Sequence, residues 1–519
     1  MPILRGFAPP TSNRIVERPV TIDSRSRSTN MNRPKTLAEL EATGYRSRSV
    51  KQEMRENLMR KLRDGEPMFE GIIGYEKTVI PQIQSAVLSR HDFILLGLRG
   101  QAKTRLLRSL NQLLDEFIPA VDGCELNDDP LNPVAAGTKR RLAEEGGALP
   151  IRWIPREERY REKLATPDVT IADLIGDVDP IKAATLKRDL SDPEVIHYGL
   201  LPRSNRGILA INELPDLQAR IQVGLLNILE EGDIQIRGFP MRLSLDVCMV
   251  FTANPEDYTN RGSIITPLRD RIESQILTHY PQSLEQALAI TEQEAWTDRD
   301  GPSVLVPDAL RTIIEDVAFQ ARTSDLVDQA SGVSMRMTIA LRENVISSAE
   351  RRAVQYGESN SVARISDLLA STAAISGKIE LVYDGEREGV EAVSMMLLGR
   401  AVKAEFDRHF PDVYQDQAGS EASIYSPLLD WFRASNSVDI SADTSTSDLL
   451  SQLEAVSGLA DLVQAHMPAE SDEERVANME LALEGLHQSS LLSRRQVVGG
   501  RVYGDMLAEM AQTLEQQSD

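Results

Sequence analysis

Cysteine is nearly absent from the sequence: Cys124 and Cys248 are the only two in 519 residues. So few cysteines exclude a disulfide framework and a CxxC metal pair, and they fit a reducing compartment. Long apolar runs are also missing. No segment approaches the roughly 20 apolar residues that span a bilayer, and the first residues lack the apolar segment of a secretory signal. We therefore expect a soluble, cytoplasmic protein that has no membrane partner.

Positive charge is scarce relative to negative charge. The chain has 57 Lys and Arg residues against 79 Asp and Glu residues, a formal net charge of −22. A phosphate backbone repels a protein of this charge unless the basic residues are segregated on one face. Nucleic acid is therefore disfavoured as a partner.

The order of apolar segments predicts a multidomain α/β protein. A chain of 519 residues can form two or three domains, because single cores stop growing near roughly 250–300 residues. Residues 1–38 are rich in Arg and Ser, which is typical of a disordered tail, our preferred interpretation, or of a transit peptide. From residue 69 to 383, apolar strands alternate with amphipathic helices, the pattern of a parallel sheet covered on both faces.

The segments outside this range have weaker patterns. Residues 35–63 have a helical period that Gly44-Tyr45 interrupts, which predicts two short helices. A Ser-, Thr- and Asp-rich stretch at 434–448 has no apolar period and is predicted to be a linker. Three later segments have helix-like apolar spacing and predict a small helical module: 449–466, 472–487 and 496–515.

The run DFILLGLRGQAKTRLLRSL at 92–110 joins an apolar strand, a glycine-bearing loop and a helix. This is the form of a P-loop, in which backbone N–H groups face the phosphates of ATP. Lys103 would reach the β- and γ-phosphates, and the Thr104 hydroxyl would bind Mg²⁺. The other residues expected to contact the nucleotide here are Gly97, Gly100, Gln101 and Ala102. Ala102 stands where the usual pattern has its second glycine, and an ordinary strand–turn–helix is the alternative.

A second apolar strand, at 207–211, leads into Asn212-Glu213, where P-loop ATPases carry their Walker B acids. Glu213 would be the general base that activates the attacking water. Asn212 would hold a metal-bound water as an amide, without the negative charge of the usual Asp. We therefore expect weakened Mg²⁺ binding, which Asn212→Asp should tighten. Alone, Glu213 would be interpreted as a solvated carboxylate at a strand end.

A third apolar strand, at 247–252, leads into Ala253-Asn254-Pro255. Asn254 would point between the γ-phosphate and the attacking water, although an isolated Asn-Pro is usually a turn. Further along, Arg269 and Arg271 lie close together in PLRDRI. An arginine from a neighbouring subunit can stabilise charge on a phosphoryl group during its transfer.

In this order, these motifs resemble those of the magnesium-chelatase I subunit and its MoxR relatives among AAA+ ATPases. The resemblance covers roughly 69–384 and is strongest at 225–257. GIIGYEKTV at 71–79 is similar to the family's adenine-side segment, so Ile72 and Ile73 are expected to contact the base. A predicted hairpin at 234–245 would face the pore of a ring. Relatives of the MoxR and minichromosome-maintenance types also carry Ala-Lys in the P-loop, as Ala102-Lys103 does here.

The resemblance assigns further roles. Asn254 matches sensor 1, Arg271 matches the arginine finger with Arg269 as the reserve candidate, and Arg336 matches sensor 2 in a helix that Ser334 would cap. The implied fold is an AAA+ P-loop ATPase with a parallel sheet flanked by helices. The implied regions are an N-terminal extension (1–68), the α/β domain (69–280), a helical lid (281–384), an acidic linker region (385–448) and a helical C-terminal module (449–519).

The implied function is that of an oligomeric motor that hydrolyses ATP, with ATP and Mg²⁺ as cofactors, and remodels a partner protein. By family analogy the chain forms a homo-oligomeric ring, a hexamer, and the partner carries a von Willebrand A domain. Magnesium chelatase activity itself stays open. Two alternatives remain: a DNA translocase of the minichromosome-maintenance type, and a nucleotide-dependent scaffold with little turnover, which Asn212 motivates.

Overall fold

The computed structural model describes residues 33–189, 192–236, 242–255, 263–418, 423–497 and 499–506. The predicted disordered tail therefore lies outside the described residues, up to residue 32.

The strands, in chain order, are β1 (Phe93–Leu96), β2 (Phe117–Val121), β3 (Ile151–Pro155), β4 (Tyr160–Leu164), β5 (Gly176–Val178), β6 (Ile196–Tyr198), β7 (Gly207–Asn212), β8 (Asp233–Gln235), β9 (Arg242–Ser244), β10 (Val247–Ala253), β11 (Ser274–Leu277), β12 (Ser303–Leu305), β13 (Asn360–Val362), β14 (Val438–Ile440), β15 (Leu492–Val497) and β16 (Gly500–Asp505). The described α-helices span Leu37–Ala42, Val50–Asp64, Val79–Leu88, Lys103–Ser109, Ala136–Glu145, Ile171–Leu174, Pro180–Leu186, Leu200–Arg203, Ala219–Gly224, Leu226–Glu230, Thr266–Arg271, Leu284–Glu294, Asp308–Thr323, Arg336–Tyr356, Ile365–Leu369, Ala373–Ser376, Tyr383–Glu388, Val390–His409, Val413–Ala418, Ser426–Arg433, Thr446–Glu454, Leu459–His466 and Asp472–Gln488.

A five-stranded sheet in the order β11-β1-β10-β7-β4 forms the centre of the N-terminal half. All four pairings are parallel. Successive side chains of a strand point to opposite faces, and β1 shows this: Phe93 and Leu95 pack into the apolar core on one face, and Ile94 and Leu96 into the core on the other. Parallel sheets are covered on both faces, and the inner strands β1, β10 and β7 are accordingly almost continuous apolar runs. The predicted parallel α/β sheet is confirmed.

The strand order places the polar strand ends side by side. Strand β1 lies between β10 and β11, and β10 lies next to β7. Parallel strands end at the same edge of a sheet, and ligands bind beyond that edge where the order of connection reverses. The loops that follow β1, β7 and β10 therefore meet at one place.

The two helices predicted at 35–63 are present, as Leu37–Ala42 and Val50–Asp64. Val50 of the second helix packs into the same core as β1. Its Glu53 forms a buried ion pair with Arg159, 2.6 Å from Glu53 Oε2 to Arg159 Nη2. The helix Val50–Asp64 is thus part of the sheet's helical cover.

One apolar core joins the predicted lid to the segments that follow it. We call its members, from Val306 to Tyr503, the C-terminal core. It contains side chains from the helices Asp308–Thr323, Arg336–Tyr356, Val390–His409 and Asp472–Gln488 and from β14 and β16.

The predictions of a linker at 434–448 and of an acidic linker region at 385–448 are wrong, because the helices Val390–His409 and Ser426–Arg433 and strand β14 all contribute to the C-terminal core. Val438 and Ile440 of β14 are buried in the C-terminal core, and β14 pairs with β16. Two alternating apolar residues are too short a pattern to show a strand before its partner is known.

The C-terminal segments contain the expected helices and also a three-stranded sheet, β14-β16-β15. The helix predicted at 496–515 is wrong where the structure describes it, because β15 and β16 pair antiparallel there. Gly499 has a φ of +81° between them, a left-handed conformation that glycine adopts without strain. Residues 507–519 lie outside the described range. None of the described helices is long and apolar enough to cross a bilayer.

Candidate functional site

The P-loop turns at positions where a side chain would not fit. A Cβ atom at Gly97 would overlap Thr278 Oγ1, and one at Gly100 would overlap Ser334 Oγ. Gly100 also has a φ of +73°. Ala102 has a φ of +55°, a left-handed conformation that costs a non-glycine residue roughly 1–2 kcal/mol. The usual second glycine would avoid this cost, so Ala102 is tolerated here rather than required by its backbone.

Lys103 is the first residue of the helix that follows the P-loop, and its side chain is buried. The ammonium group donates hydrogen bonds to the carbonyl oxygens of Gly97 and Leu98, the latter at 3.0 Å. It also donates to Asn254 Oδ1 at 2.8 Å. The structure thus brings together the lysine of the predicted P-loop and the asparagine at the end of β10.

At the end of β7, both polar atoms of the Asn212 side chain are bound within the protein. Asn212 Nδ2 donates to Glu162 Oε1 at 2.8 Å, and Asn212 Oδ1 accepts from Thr252 Oγ1 at 3.2 Å. Thr252 Oγ1 in turn accepts the backbone N–H of Glu213 at 3.0 Å. Glu213 has a φ of +55°, a conformation that strains a non-glycine residue and is found often at functional sites. These contacts fix the direction in which the Glu213 side chain leaves the strand.

Glu162 is a residue that the sequence analysis missed. It lies on β4 and accepts two hydrogen bonds from Arg108, from Nε at 2.8 Å and from Nη2 at 3.1 Å. Arg108 belongs to the helix Lys103–Ser109. A signal was present, because β4 has the charged sequence YREKL, whereas β1, β7 and β10 are almost entirely apolar.

A cleft beside the P-loop collects six of the predicted residues. They are Ile72, Ile73, Gly100, Gln101, Ala102 and Arg336. Ile290, Met335 and Ile339 add apolar surface at the lid side of the cleft. This arrangement fits a nucleotide: the base would lie on the apolar surface, and the phosphates would lie against the loop of backbone N–H groups.

Three consecutive residues at the end of β11 hold the P-loop and the adenine-side segment. Thr278 Oγ1 donates to Gln101 Oε1 at 2.6 Å. The Tyr75 hydroxyl lies 2.7 Å from the carbonyl oxygen of His279 and 3.0 Å from that of Gln101, and burial raises the pKa of Tyr75 to about 12. The Tyr280 hydroxyl donates to the Arg99 carbonyl at 2.9 Å. The segment that leads from β11 to the predicted lid is therefore bonded directly to the P-loop.

Arg336 is exposed at the start of the helix Arg336–Tyr356. Ser334 Oγ accepts the backbone N–H of Arg336 at 3.1 Å, which satisfies one of the free donors at the start of the helix. Thr104 is half-buried at the second position of the P-loop helix. The roles of Thr104 and Arg336 stay predictions.

The predicted arginine finger lies away from this cleft. Arg271 Nε donates to Glu230 Oε2 at 2.7 Å, and its Nη1 donates to the Pro267 carbonyl at 2.9 Å. Arg269 is exposed. Among the described residues, those that line the cleft include neither Arg269 nor Arg271. The structure thus does not bring the finger candidates to the P-loop of their own chain.

The predicted hairpin is present as the antiparallel pair β8 and β9, with Ile234 opposite Leu243. Arg242 forms an ion pair with Asp233, 3.2 Å from Nη1 to Oδ2. The tip of the hairpin, which includes Arg237, lies outside the described residues. Arg242, a basic residue of the hairpin that could contact a nucleic acid in the pore, is therefore already paired with an acid.

Within the ranges that the structure describes, no three His, Cys, Asp or Glu side chains are grouped as a metal site. Among the described residues, the side chains that could offer oxygen ligands here include the Thr104 hydroxyl, the Asn212 and Asn254 amides and the Glu162 and Glu213 carboxylates. Hydroxyl and carboxylate oxygens suit Mg²⁺, which keeps several waters and binds few protein groups. The residues present therefore fit a magnesium ion that comes with its nucleotide.

No family model matches the chain. The magnesium-chelatase 38 kDa subunit of Rhodobacter capsulatus is 26% identical over 241 residues, which cover 46% of this chain and 63% of the relative. The same subunit of Cereibacter sphaeroides is 27% identical over 233 residues, or 44% of this chain and 64% of the relative. This chain thus matches just under two thirds of the length of these relatives.

Among solved structures, that of the complex between the magnesium-chelatase subunits BchI and BchD is 22% identical and covers 62% of this chain and 98% of that chain. Its TM-score of 0.33 is too low to support a common fold. The assignment therefore rests on the sequence similarity together with the parallel sheet and the P-loop. The predicted resemblance is confirmed: the chain is similar in sequence to the magnesium-chelatase 38 kDa subunits, and this similarity supports an AAA+ ATPase of that type.

Proposed function

We propose that this chain is an ATP-hydrolysing AAA+ motor that assembles into a homo-oligomeric ring and remodels a partner protein. One observation carries the proposal: the Lys103 ammonium lies 2.8 Å from Asn254 Oδ1, and β7, which ends in Asn212-Glu213, lies next to β10. The lysine, the polarising amide and the candidate base are thus at three neighbouring strand ends.

The cleft residues would bind the nucleotide. Ile72 and Ile73 contact the base, the N–H groups of the P-loop receive the phosphates, and Lys103 exchanges its backbone carbonyl partners for phosphate oxygens. Mg²⁺ bound with ATP neutralises phosphate charge, and the Thr104 hydroxyl would hold it.

The strand-end residues would carry out hydrolysis. Glu213 accepts a proton from the attacking water, and Asn254 orients that water toward the γ-phosphate. Arg336 approaches the phosphates from the lid. Arg271 would complete the site of a neighbouring subunit, and its position outside its own cleft supports an action across an interface.

The partner follows from the resemblance alone. By family analogy it is a protein with a von Willebrand A domain, and the ring is a hexamer. A DNA translocase is less well supported, because Arg242 of the hairpin is paired with Asp233 and the net charge is −22. The chelatase reaction of the relatives is not part of the proposal.

The test is ADP production by the purified chain, followed over hours so that a slow ATPase is distinguished from a scaffold. We expect Lys103→Ala to abolish tight ATP binding and hydrolysis, because it removes the cation that the structure places between the P-loop and Asn254. The matched control is Lys139→Ala, which changes an exposed lysine on the helix Ala136–Glu145 and should behave like the parent. Unchanged ATP affinity in Lys103→Ala would refute the P-loop assignment.

A further inference from the structure

The strand end at Asn212 lacks the acid that is usual there, but a carboxylate lies directly beside it. Glu162 Oε1 accepts a hydrogen bond from Asn212 Nδ2 at 2.8 Å. Glu162 belongs to β4, which pairs in parallel with β7. The acid at this edge of the sheet is thus on the neighbouring strand.

In the row of hydrogen bonds around Asn212, each side chain donates to the next one. Thr252 donates to Asn212 Oδ1 at 3.2 Å, and Asn212 Nδ2 donates to Glu162. An aspartate at position 212 has no hydrogen to donate, so its carboxylate would face that of Glu162 and the two charges would repel. As long as residue 162 is an acid, position 212 requires a hydrogen-bond donor. This explains why an asparagine stands there instead of the usual aspartate.

Glu162 also contacts the helix that carries the predicted magnesium ligand. Arg108, which binds Glu162 through Nε and Nη2, is four residues after Thr104 and so lies on the same face of that helix. The Glu162 carboxylate therefore lies between this face of the P-loop helix and the end of β7. The Arg108 side chain is 66% exposed and that of Glu162 is 24% exposed, so the ion pair between them is partly solvated and weak.

We propose that Glu162 is the positioning acid of the magnesium site. It carries the negative charge that Asn212 lacks, and Asn212 connects it to Thr252 and so to the backbone of Glu213. This inference rests on the proposed function, because it assigns the acid that favours Mg²⁺ in an ATP site. It is distinct from the roles of Lys103 and Glu213, neither of which requires the acid at position 162.

The test measures nucleotide binding rather than turnover. A fluorescent ATP analogue is titrated into the full-length chain at a series of Mg²⁺ concentrations, and again in EDTA. Removing a partner that orients a metal site typically costs 10- to 100-fold in metal affinity, so in Glu162→Gln we expect the half-saturating Mg²⁺ concentration to rise on the order of ten-fold. Binding in EDTA should not change. Glu157→Gln, which changes an exposed glutamate three residues before the start of β4, is the matched control and should equal the parent.

Exchanging the carboxylate of Glu162 and the amide of Asn212 gives a sharper test. Asn212→Asp alone should also raise the half-saturating Mg²⁺ concentration, because the new carboxylate would face that of Glu162. The sequence alone predicts the opposite, that this substitution tightens Mg²⁺ binding. The double variant Glu162→Gln with Asn212→Asp again has one acid and one amide. Since the two residues are in contact, their effects should not add, and the double variant should return to within about two-fold of the parent.

Two outcomes would overturn the inference: Glu162→Gln with the Mg²⁺ dependence of the parent, or a double variant no better than the worse single variant. If Glu162→Gln does not fold, as judged by thermal unfolding, Glu162→Asp keeps the charge and should require less Mg²⁺ than Asn212→Asp. The reverse order would also overturn it. Failure of the proposed function is recognised separately, because the parent and Lys103→Ala would then bind the analogue equally.

Discussion

The carboxyl edge of the central sheet and the C-terminal core are built in different ways. At the sheet edge, Lys103 donates hydrogen bonds to loop carbonyls and to Asn254. These contacts connect the short sequence motifs that follow β1 and β10. In the C-terminal core, Arg352 Nη1 lies 2.7 Å from Asp367 Oδ1, and both side chains are fully buried. Arg364 donates to the carbonyl oxygens of Ala442 and Thr444 at 3.1 and 2.9 Å.

Because of this difference, mutations in the two regions should have different effects, on function in one and on stability in the other. The loop residues just before Lys103 line a cleft, so the loss of polar groups at the sheet edge should affect function more than stability. Polar groups in the C-terminal core bond one another, and removing one partner of a buried ion pair leaves a charge without compensation. Their loss should therefore affect stability first, and should affect the lid and the tail together.

The largest expected effect is on hydrolysis. Arg271→Ala should bind ATP like the parent but hydrolyse it on the order of a thousand-fold more slowly, because an arginine finger acts on charge that develops in the transition state. Its ion pair with Glu230 is partly exposed, so the free energy of unfolding should change by less than about 1 kcal/mol. ADP production and urea unfolding measure the two quantities.

Mixing tests whether Arg271 acts across an interface. Lys103→Ala subunits hold no ATP but supply the finger, and Arg271→Ala subunits hold ATP without one, so mixed rings should be more active than the sum of the two. The control is Arg220→Ala, an exposed arginine on the helix Ala219–Gly224, which should keep the parental rate. If co-assembled variants show no gain, Arg269 is tested next, and the action in trans is abandoned if it also fails.

The next effect is on stability. Asp367 accepts hydrogen bonds from Arg352 at 2.7 Å, from Ser348 at 2.8 Å and from the backbone of Arg364 at 2.9 Å. Asp367→Ala should lower the free energy of unfolding by about 3–5 kcal/mol, because Arg352 would remain buried without its carboxylate. Urea unfolding followed by circular dichroism measures this loss.

Hydrogen exchange shows where Asp367→Ala acts. We expect the helices Arg336–Tyr356 and Asp472–Gln488 to lose protection together. The matched control Asp430→Ala removes an exposed ion pair with Arg433 and should change stability by about 0.5 kcal/mol or less. Loss of protection confined to the lid helix would contradict a shared core.

The smallest effect concerns the contact between two helices of the C-terminal core. A Cβ atom at Gly485 would overlap the ring of Phe406, which is fully buried. Gly485→Ala should therefore destabilise the protein by about 1–3 kcal/mol through overpacking. Gly377→Ala is the control: Gly377 is exposed, with no atom within 4 Å of its added Cβ, and its φ of −86° suits alanine. A lower melting temperature for the control than for Gly485→Ala would mean that this contact does not matter.

Local motifs could be predicted from the sequence, and contacts between distant segments could not. The P-loop, the strand before Asn212 and the strand before Asn254 each combine an apolar run with polar residues at its end, and parallel strands must place these ends together. Glu162 was not recognised because its importance depends on the register of β4 against β7.

The C-terminal core could not be predicted from the sequence for a related reason. Glu480 accepts a hydrogen bond from the backbone of Ser366 at 2.8 Å, across 114 residues of sequence. Periodicity within a segment shows which face is buried but does not show which segment covers it. Charged residues such as Glu480 and Arg364 also look like solvated surface until their partners are known.

The shared C-terminal core also determines which part of this chain could be exchanged in evolution or by design. A break near residue 384 would separate the helix Arg336–Tyr356 from Val390–His409, and each piece would expose apolar side chains that the other covers. Residues 303–505 carry the members of the core from Val306 to Tyr503. A chimaera that takes this tail from one motor to another must therefore take the lid as well, so recombination would pass on both as a single inherited unit.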